Sequence, residues 1–307
     1  MQTSVIRWLR HFHFLYERSL KSRRGDELLN TYFIRPVAAV FVGIFYPLPV
    51  LPIHVVLLGS AFGVAAAAAV AKGHLLAGGL LLFTKNILDA VDGQLARARH
   101  QEDRRGRFLD SISDFVINFL IFLALGIFLY GETKNAAVLL LALLAFLGLS
   151  LRVSYFVYYF VDYLHFENKL SVNRNVEEIT EADRQGDPVA LRLQKLYIFL
   201  YNWQDRFIEK IDLWCRRPAT ALSPAKQRLF DQKWVQHPVA LRLSSFLGLG
   251  TELTFVIFAL VFNGPLIYFT LNLFLLNGYA LFCVLYRRHL AQQLFAELQN
   301  HPESDGN

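Results

Sequence analysis

The chain has 307 residues, 54% of them hydrophobic and 18% charged, with 27 phenylalanines against one methionine and a mean hydropathy of +0.34, which excludes an ordinary water-soluble domain and describes a membrane protein with polar ends. Its formal net charge of +6 falls on lysines and arginines that border apolar stretches rather than on a nucleic-acid-binding motif, so membrane lipids and a phosphorylated substrate are the expected partners and nucleic acid is not. Cys215 and Cys283 lie far apart, with no histidine or cysteine at ligand spacing, so neither a disulfide nor a zinc site is expected.

In chain order, the N-terminal arm (1–52) interrupts its apolar residues with charge at every turn, so it lacks the core of a secretory signal and is expected to stay on the protein. Within it, residues 37–50 are apolar but too short to cross a bilayer and end at Pro47-Leu48-Pro49. This predicts an N-terminal amphipathic helix lying in the interface. Runs of the length a spanning helix needs follow at 53–71, 75–97, 108–130, 136–164, 244–262 and 265–286. The fold class is therefore an all-α integral membrane protein with six transmembrane helices. Four of them fall in 53–165, a cytoplasmic helical insertion occupies 166–243, two more spans occupy 244–288, and 289–307 form a polar tail.

Lysine and arginine concentrate on the cytoplasmic side of short loops. Arg7, Arg10, Arg18, Lys21, Arg23, Arg24 and Arg35 precede the first span, Arg97, Arg99, Arg104, Arg105 and Arg107 join the second and third, and Arg287 and Arg288 follow the last. Both termini, the 166–243 insertion and the second-to-third connection are thus expected in the cytoplasm. Inside the insertion, Leu193, Leu196, Leu200, Trp203, Phe207 and Ile211 recur at three- or four-residue steps. They predict an amphipathic helix whose apolar stripe packs on the rest of the cytoplasmic part.

The chemistry concentrates in LDAVDGQLARARHQEDRRGRFLDSISDF. Asp89 and Asp92 are spaced i, i+3 and Asp110 and Asp114 i, i+4, so each pair shares a helix face and two facing helices would converge four carboxylates. Unpaired, such a cluster in a poorly hydrated place repels itself. A divalent cation resolves the conflict, and oxygen-only ligands favour magnesium, manganese or calcium over zinc. Helix capping and pairing with nearby arginines would account for one aspartate but not for four in register. Gly93 and Gly106 would let a ligand approach the backbone, and Arg97, about one turn after Asp92, can meet an anionic phosphate.

Asp89, Asp92-Gly93, Ala96-Arg97, Gly106, Asp110 and Asp114 together resemble the signature of the class I CDP-alcohol phosphatidyltransferases, D-x-x-D-G-x-x-A-R, eight residues, then G-x-x-x-D-x-x-x-D, and every fixed position matches. The six-span topology and the interfacial helix are also similar to that family. The resemblance does not reach the 166–243 insertion. It implies that Asp89, Asp92 and Asp110 are metal ligands and that Asp114 completes the cluster and acts as the catalytic base. It also implies that Gly93 and Ala96 line the cytidine pocket, that Gly106 makes room there, and that Arg97 engages the donor diphosphate. The implied reaction moves a phosphoalcohol group from a CDP-alcohol donor to an alcohol acceptor and releases CMP, with two Mg2+ or Mn2+ ions. A homodimer, as in similar enzymes, is left open. In the first span Ile53 and Val56 stand where the family often has Asn and Thr, which bears on donor preference.

For the acceptor, Arg152, midway along an apolar span, either binds a phosphate or hydroxyl or pairs with a motif aspartate; Glu252 is a weaker candidate of the same kind. Lys85, one turn before Asp89, could do either job, and Arg35 could contact donor or lipid phosphate. The rival functions are a membrane cation transporter using the same aspartates, which leaves Gly93, Ala96, Arg97 and Gly106 unexplained, and a catalytically inactive lipid-binding scaffold, against which the intact Asp114 speaks.

Overall fold

A computed structural model describes residues 16–17, 25–168 and 175–300. The basic residues Arg7, Arg10, Arg18, Lys21, Arg23 and Arg24 lie outside the described residues. No strand occurs among those described.

After a short apolar helix, α1 (Asn30–Phe45), come four long ones: α2 (Pro52–Ala71), α3 (Leu75–Arg99), α4 (Arg104–Thr133) and α5 (Ala137–Phe166). The connecting region holds α6 (Glu181–Gln185), α7 (Pro188–Arg216) and α8 (Pro224–Gln236). It leads into α9 (Pro238–Ser244) and α10 (Leu249–Val261), and the last helix, α11 (Pro265–Asn300), carries a π-helical stretch at Leu271–Leu276. Among the described residues, five segments are long and apolar enough to cross a membrane: α2, α4, α5, α9 with α10, and α11. The hydropathy pattern predicts a sixth. That helix, α3, has the length at 25 residues, but Lys85, Asp89, Asp92, Arg97 and Arg99 lower its apolarity.

The first three long helices pack closely because their facing sides are small. Gly59, Gly63, Ala66, Ala67 and Val70 of α2 are buried, and a Cβ on Gly63 would come within 2.6 Å of Ile117 on α4. Backbones approach closely across such stripes, which is how helices associate in lipid, where the hydrophobic effect does not drive them together. Gly73, at φ +83°, closes the turn into α3 in a backbone conformation that costs glycine nothing. Where Pro47 and Pro49 break the chain between α1 and α2, Arg99 at the end of α3 reaches across. It donates to the carbonyls of Val50 (2.5 Å), Phe45 (2.6 Å), Tyr46 (2.8 Å) and Leu48 (2.6 Å), supplying donors where the helix ends and its carbonyls run short of them.

The fifth span departs from the uninterrupted run expected over 244–262. The chain bends through a 3-10 turn, Ser245–Leu247, and α10 starts afresh. At the break stands Glu27, from before α1, whose carboxylate accepts from the backbone N–H of Gly250 (3.3 Å) and Thr251 (2.8 Å) and from the Thr251 hydroxyl (3.1 Å). It caps α10 from a distant part of the chain, at the end where helix N–H groups lack partners. Burial pushes the Glu27 carboxyl up to about 7, against the pull of the Thr251 and Gly250 donors.

The insertion is helical as expected, but its long helix is turned the other way. Leu196, Trp203 and Phe207 of α7 are exposed and Leu193, Leu200 and Ile211 are half-exposed, whereas Gln194, Gln204 and Asp212 are buried. The three- and four-residue periodicity correctly groups the apolar residues on one face. Of that face Ile211 packs on the buried core, while Leu196, Trp203 and Phe207 point away from it.

Candidate active site

The α3–α4 hairpin turns at His100, in left-handed conformation at φ 54°, followed by Gln101 to Asp103 before α4 begins. Antiparallel helices joined this tightly bring the end of α3 against the start of α4. Carboxylate oxygens of Asp89, Asp92 and Asp110 all lie within 4.8 Å of one another, and Asp92 is buried. Asp114 stands beside them, tied by an ion pair to Lys85, which also lies 3.1 Å from Asp89. Lys85 itself is 3% exposed, so of its two anticipated roles the structure displays pairing with motif aspartates.

One ammonium does not balance four carboxylates. The remaining negative charge sits in a site of low dielectric, where like charges repel strongly. Three oxygens this close, on two rigid helices and with no sulfur or imidazole among them, fit a hard divalent cation.

The rest of the motif shapes the surroundings. A Cβ on Gly93 would come 3.2 Å from Nη1 of Arg97, so the missing side chain is what lets that guanidinium fold back along α3. A Cβ on Gly106 would meet nothing within 4 Å, leaving open space at the start of α4. Ala96 and Arg97 are half-buried. Arg97 lies within electrostatic reach of Arg35, and Arg35 is held by an ion pair with Asp26 while its carbonyl accepts from Nε2 of Gln94 (3.1 Å). Two guanidinium groups therefore stand near one another beside the carboxylates. Ala38 and Val42 of α1 pack with Val91, Leu95 and Ala98 of α3, which keeps them there.

Arg152 goes elsewhere. It forms a two-pronged pair with Glu252 and also donates to Asn277, and both charged side chains are about 1% exposed. Its charge is matched from α10, and among the described contacts none joins it to the four aspartates.

Several contacts around the site were not evident from sequence. Arg104 pairs with Asp183, Arg105 with Asp187 and Arg107 with Glu177 (3.1 Å), clasping the first turn of α4 to the connecting region. The Arg104 guanidinium holds the Asp183 carboxyl well below the usual carboxylate range, and Arg105 lowers Asp187 in the same way. The Tyr201 hydroxyl of α7 donates to the carbonyl of Ser111 (2.8 Å), the residue after Asp110, and its ring packs edge-on to Phe115, the residue after Asp114. The only signal in the sequence was the run Arg104-Arg105-Gly106-Arg107, whose charge marks a side of the membrane as readily as a set of ion pairs.

In this helical membrane protein Asp89, Asp92 and Asp110 could together hold a metal ion, with Lys85 buried among the carboxylates and arginines alongside. The chain belongs to the CDP-alcohol phosphatidyltransferase family, whose model matches residues 49–221, more than half its length. It is also similar to the archaetidylinositol phosphate synthase of Methanothermobacter thermautotrophicus, with 34% identity over 132 residues. That match covers 43% of this chain and 63% of the relative, less than two thirds of the relative's length.

Proposed function

We propose that the protein transfers a phosphoalcohol group, of the phosphatidyl kind carried by CDP-diacylglycerol, from a CDP-alcohol to the hydroxyl of a polyol or phosphopolyol, releasing CMP. The observation that carries this reading is the convergence of Asp89, Asp92 and Asp110 within 4.8 Å beside an Asp114 gripped by Lys85. The similar archaeal enzyme is named for a phosphorylated polyol lipid product, which favours a phosphopolyol acceptor.

Asp89, Asp92, Asp110 and Asp114 would hold Mg2+ or Mn2+, two ions in all, whose positive charge offsets the negative charge of the donor diphosphate and of the departing CMP. The acceptor oxygen attacks the phosphorus bearing the alcohol, the bond from that phosphorus to the CMP oxygen breaks, and Asp114 takes the hydroxyl proton. Gly93, Ala96 and Gly106 leave room for the cytidine, and Arg97 with Arg35 meets phosphate charge. Lys85 orients Asp114 from the side away from solvent. Arg152 serves helix packing in this reading, since Glu252 already neutralises it.

In the membrane, α3 is the sixth crossing. Its 25 residues suffice, and the polar groups that lower its apolarity face α4 or fall near its end. The arginine-rich α3–α4 connection then lies on the cytoplasmic side of the membrane with the site, both termini and the connecting region from α6 to α8, and α1 lies in the interface.

The test is CMP release by the purified, detergent-solubilised protein given CDP-diacylglycerol, Mg2+ or Mn2+, and a panel of polyol and phosphopolyol acceptors, beside Asp114→Asn. CMP formed with one acceptor and lost in the variant supports the reading. No CMP from CDP-diacylglycerol or from other CDP-alcohols, by protein that binds the metal, would overturn it.

A further inference from the structure

The inward face of α7 carries Gln194, Gln204 and Asp212 beside Ala190, Ile208 and Cys215, while a second set of large apolar residues faces outward. Its inward face makes specific contacts: Gln194 donates to Glu177 (3.0 Å) and Asp183 (3.0 Å), Tyr201 to Ser111 (2.8 Å), Gln204 accepts from Ser154 (2.9 Å), and Asp212 accepts from Trp234 (3.2 Å). Its outward face presents Leu196, Phe199, Trp203, Phe207, Leu213 and Trp214, with Phe199 78% and Leu213 62% exposed. A helix against water turns a polar face outward, and one continuous apolar face of this size marks contact with something apolar.

The charges identify that contact. Arg192, Lys195, Arg206, Lys210 and Arg217 are all exposed at helical spacings that set them along and beside the aromatic stripe, and among the described residues none of them is paired with a carboxylate. Lysine and arginine stems extend over apolar surface while their heads reach polar groups, and tryptophan is favoured where an apolar medium meets a polar one. The charged residues rule out a span. A second copy applied to the same face by two-fold symmetry would bring these five cations against their own counterparts.

We propose that α7 lies in the surface of the membrane leaflet on the active-site side, its apolar stripe among the upper acyl chains and its basic residues on anionic lipid headgroups. The packing of α7 on α4, α5 and α11 holds it at the height of Ser111, Phe115 and Ser154, beside helices that cross the bilayer. This assignment rests on the membrane reading of the spans and not on the transfer reaction, so each can fail without the other.

The test uses the full chain reconstituted into vesicles of phosphatidylcholine alone or mixed with phosphatidylglycerol. Phe199→Cys, an exposed position, is labelled with bimane; Cys215 and Cys283 are buried, and the unsubstituted chain controls for their labelling. Lipids carrying a doxyl group near the headgroup should quench the label while aqueous iodide does not. Phosphatidylglycerol should strengthen the lipid quenching several-fold, and high salt or Arg206→Glu with Lys210→Glu should remove that gain. Free access of iodide in both vesicles would overturn the proposal, as would iodide protection that disappears when the protein is diluted into excess lipid, which would mean that a protein covers the face. Equal quenching with and without phosphatidylglycerol would overturn its anionic part.

Discussion

Two of the buried groups of ionisable residues in the helical bundle, those around Arg152 and Lys85, differ in balance. Around Arg152, one cation meets one carboxylate, Glu252, and the remaining guanidinium donor finds Asn277. Around Lys85, one buried ammonium pairs with Asp89 and Asp114, Asp92 and Asp110 add two more carboxylates, Arg97 and Arg35 stand alongside, and a side chain at Gly106 would meet only open space. Both cost desolvation. The balanced group is complete and joins helices, while the other carries a surplus of carboxylates that could hold a cation. Intramembrane charge alone therefore does not mark a site; surplus charge with room beside it does.

The largest effect expected is on the unbalanced side. Asp110→Asn should lower CMP release on the order of a thousandfold, in line with losing a preorganised electrostatic contact. The metal-free variant should melt no lower than the parent, because one repelling charge is gone. A thermal scan in the presence of a chelator checks the second half, and a marked destabilisation would make Asp110 a structural residue.

On the balanced side the order reverses. Arg152→Met should destabilise by about 3–5 kcal/mol by leaving Glu252 buried and alone, and adding Glu252→Leu should restore most of that loss. CMP release by the double variant, measured well below its melting temperature, should stay close to that of the parent. A large fall in turnover with stability regained would move Arg152 into acceptor binding.

Lys85→Met sharpens the comparison further. Loss of the ammonium should lower turnover roughly 10- to 100-fold, the range for groups that orient a ligand from behind. It should also increase the rise in melting temperature on adding Mn2+, since less positive charge is already present. An unchanged Mn2+ response would show that Lys85 does not share the carboxylates with the ion.

The smallest effect concerns Glu27. Its carboxyl moves from an ordinary value of 4.5 to about 7 in the folded protein, so between these values the folded state binds more proton than the unfolded one. Its contribution to stability is fully present below pH 4.5 and declines as pH rises to about 7, levelling off above. Glu27→Gln should flatten that stretch of the melting-temperature profile.

Much of this was legible in the sequence. The runs at 53–71 and 136–164 fall within about two residues of α2 and α5, because helices in lipid must be long and uniformly apolar. The facing aspartates of the α3–α4 hairpin could be paired from i, i+3 and i, i+4 spacing alone. What escaped has a common cause. Periodicity groups Leu196, Trp203 and Phe207 on one face but is silent on what that face meets, and an arginine in an apolar run demands a counter-charge without naming Glu252, a hundred residues away. Glu27, in a polar arm, gave no sign that it caps α10.

The π-helical stretch at Leu271–Leu276 sets the phase of everything after it. One such turn takes up an extra residue, so the remainder of α11 is rotated by about 100° from the heading its first turns establish. Before the stretch, Tyr268 and Phe269 face the core shared with α2, α4 and α5; after it, Cys283, Leu290, Ala291 and Leu294 face the core built with α7 and α8, and Arg287 lies 3.3 Å over the Tyr159 ring. A single helix thereby serves two interiors whose directions differ. Removing one residue from the stretch would swing Arg287 off that ring and turn the second set of apolar side chains away from their partners, while leaving the composition almost unaltered.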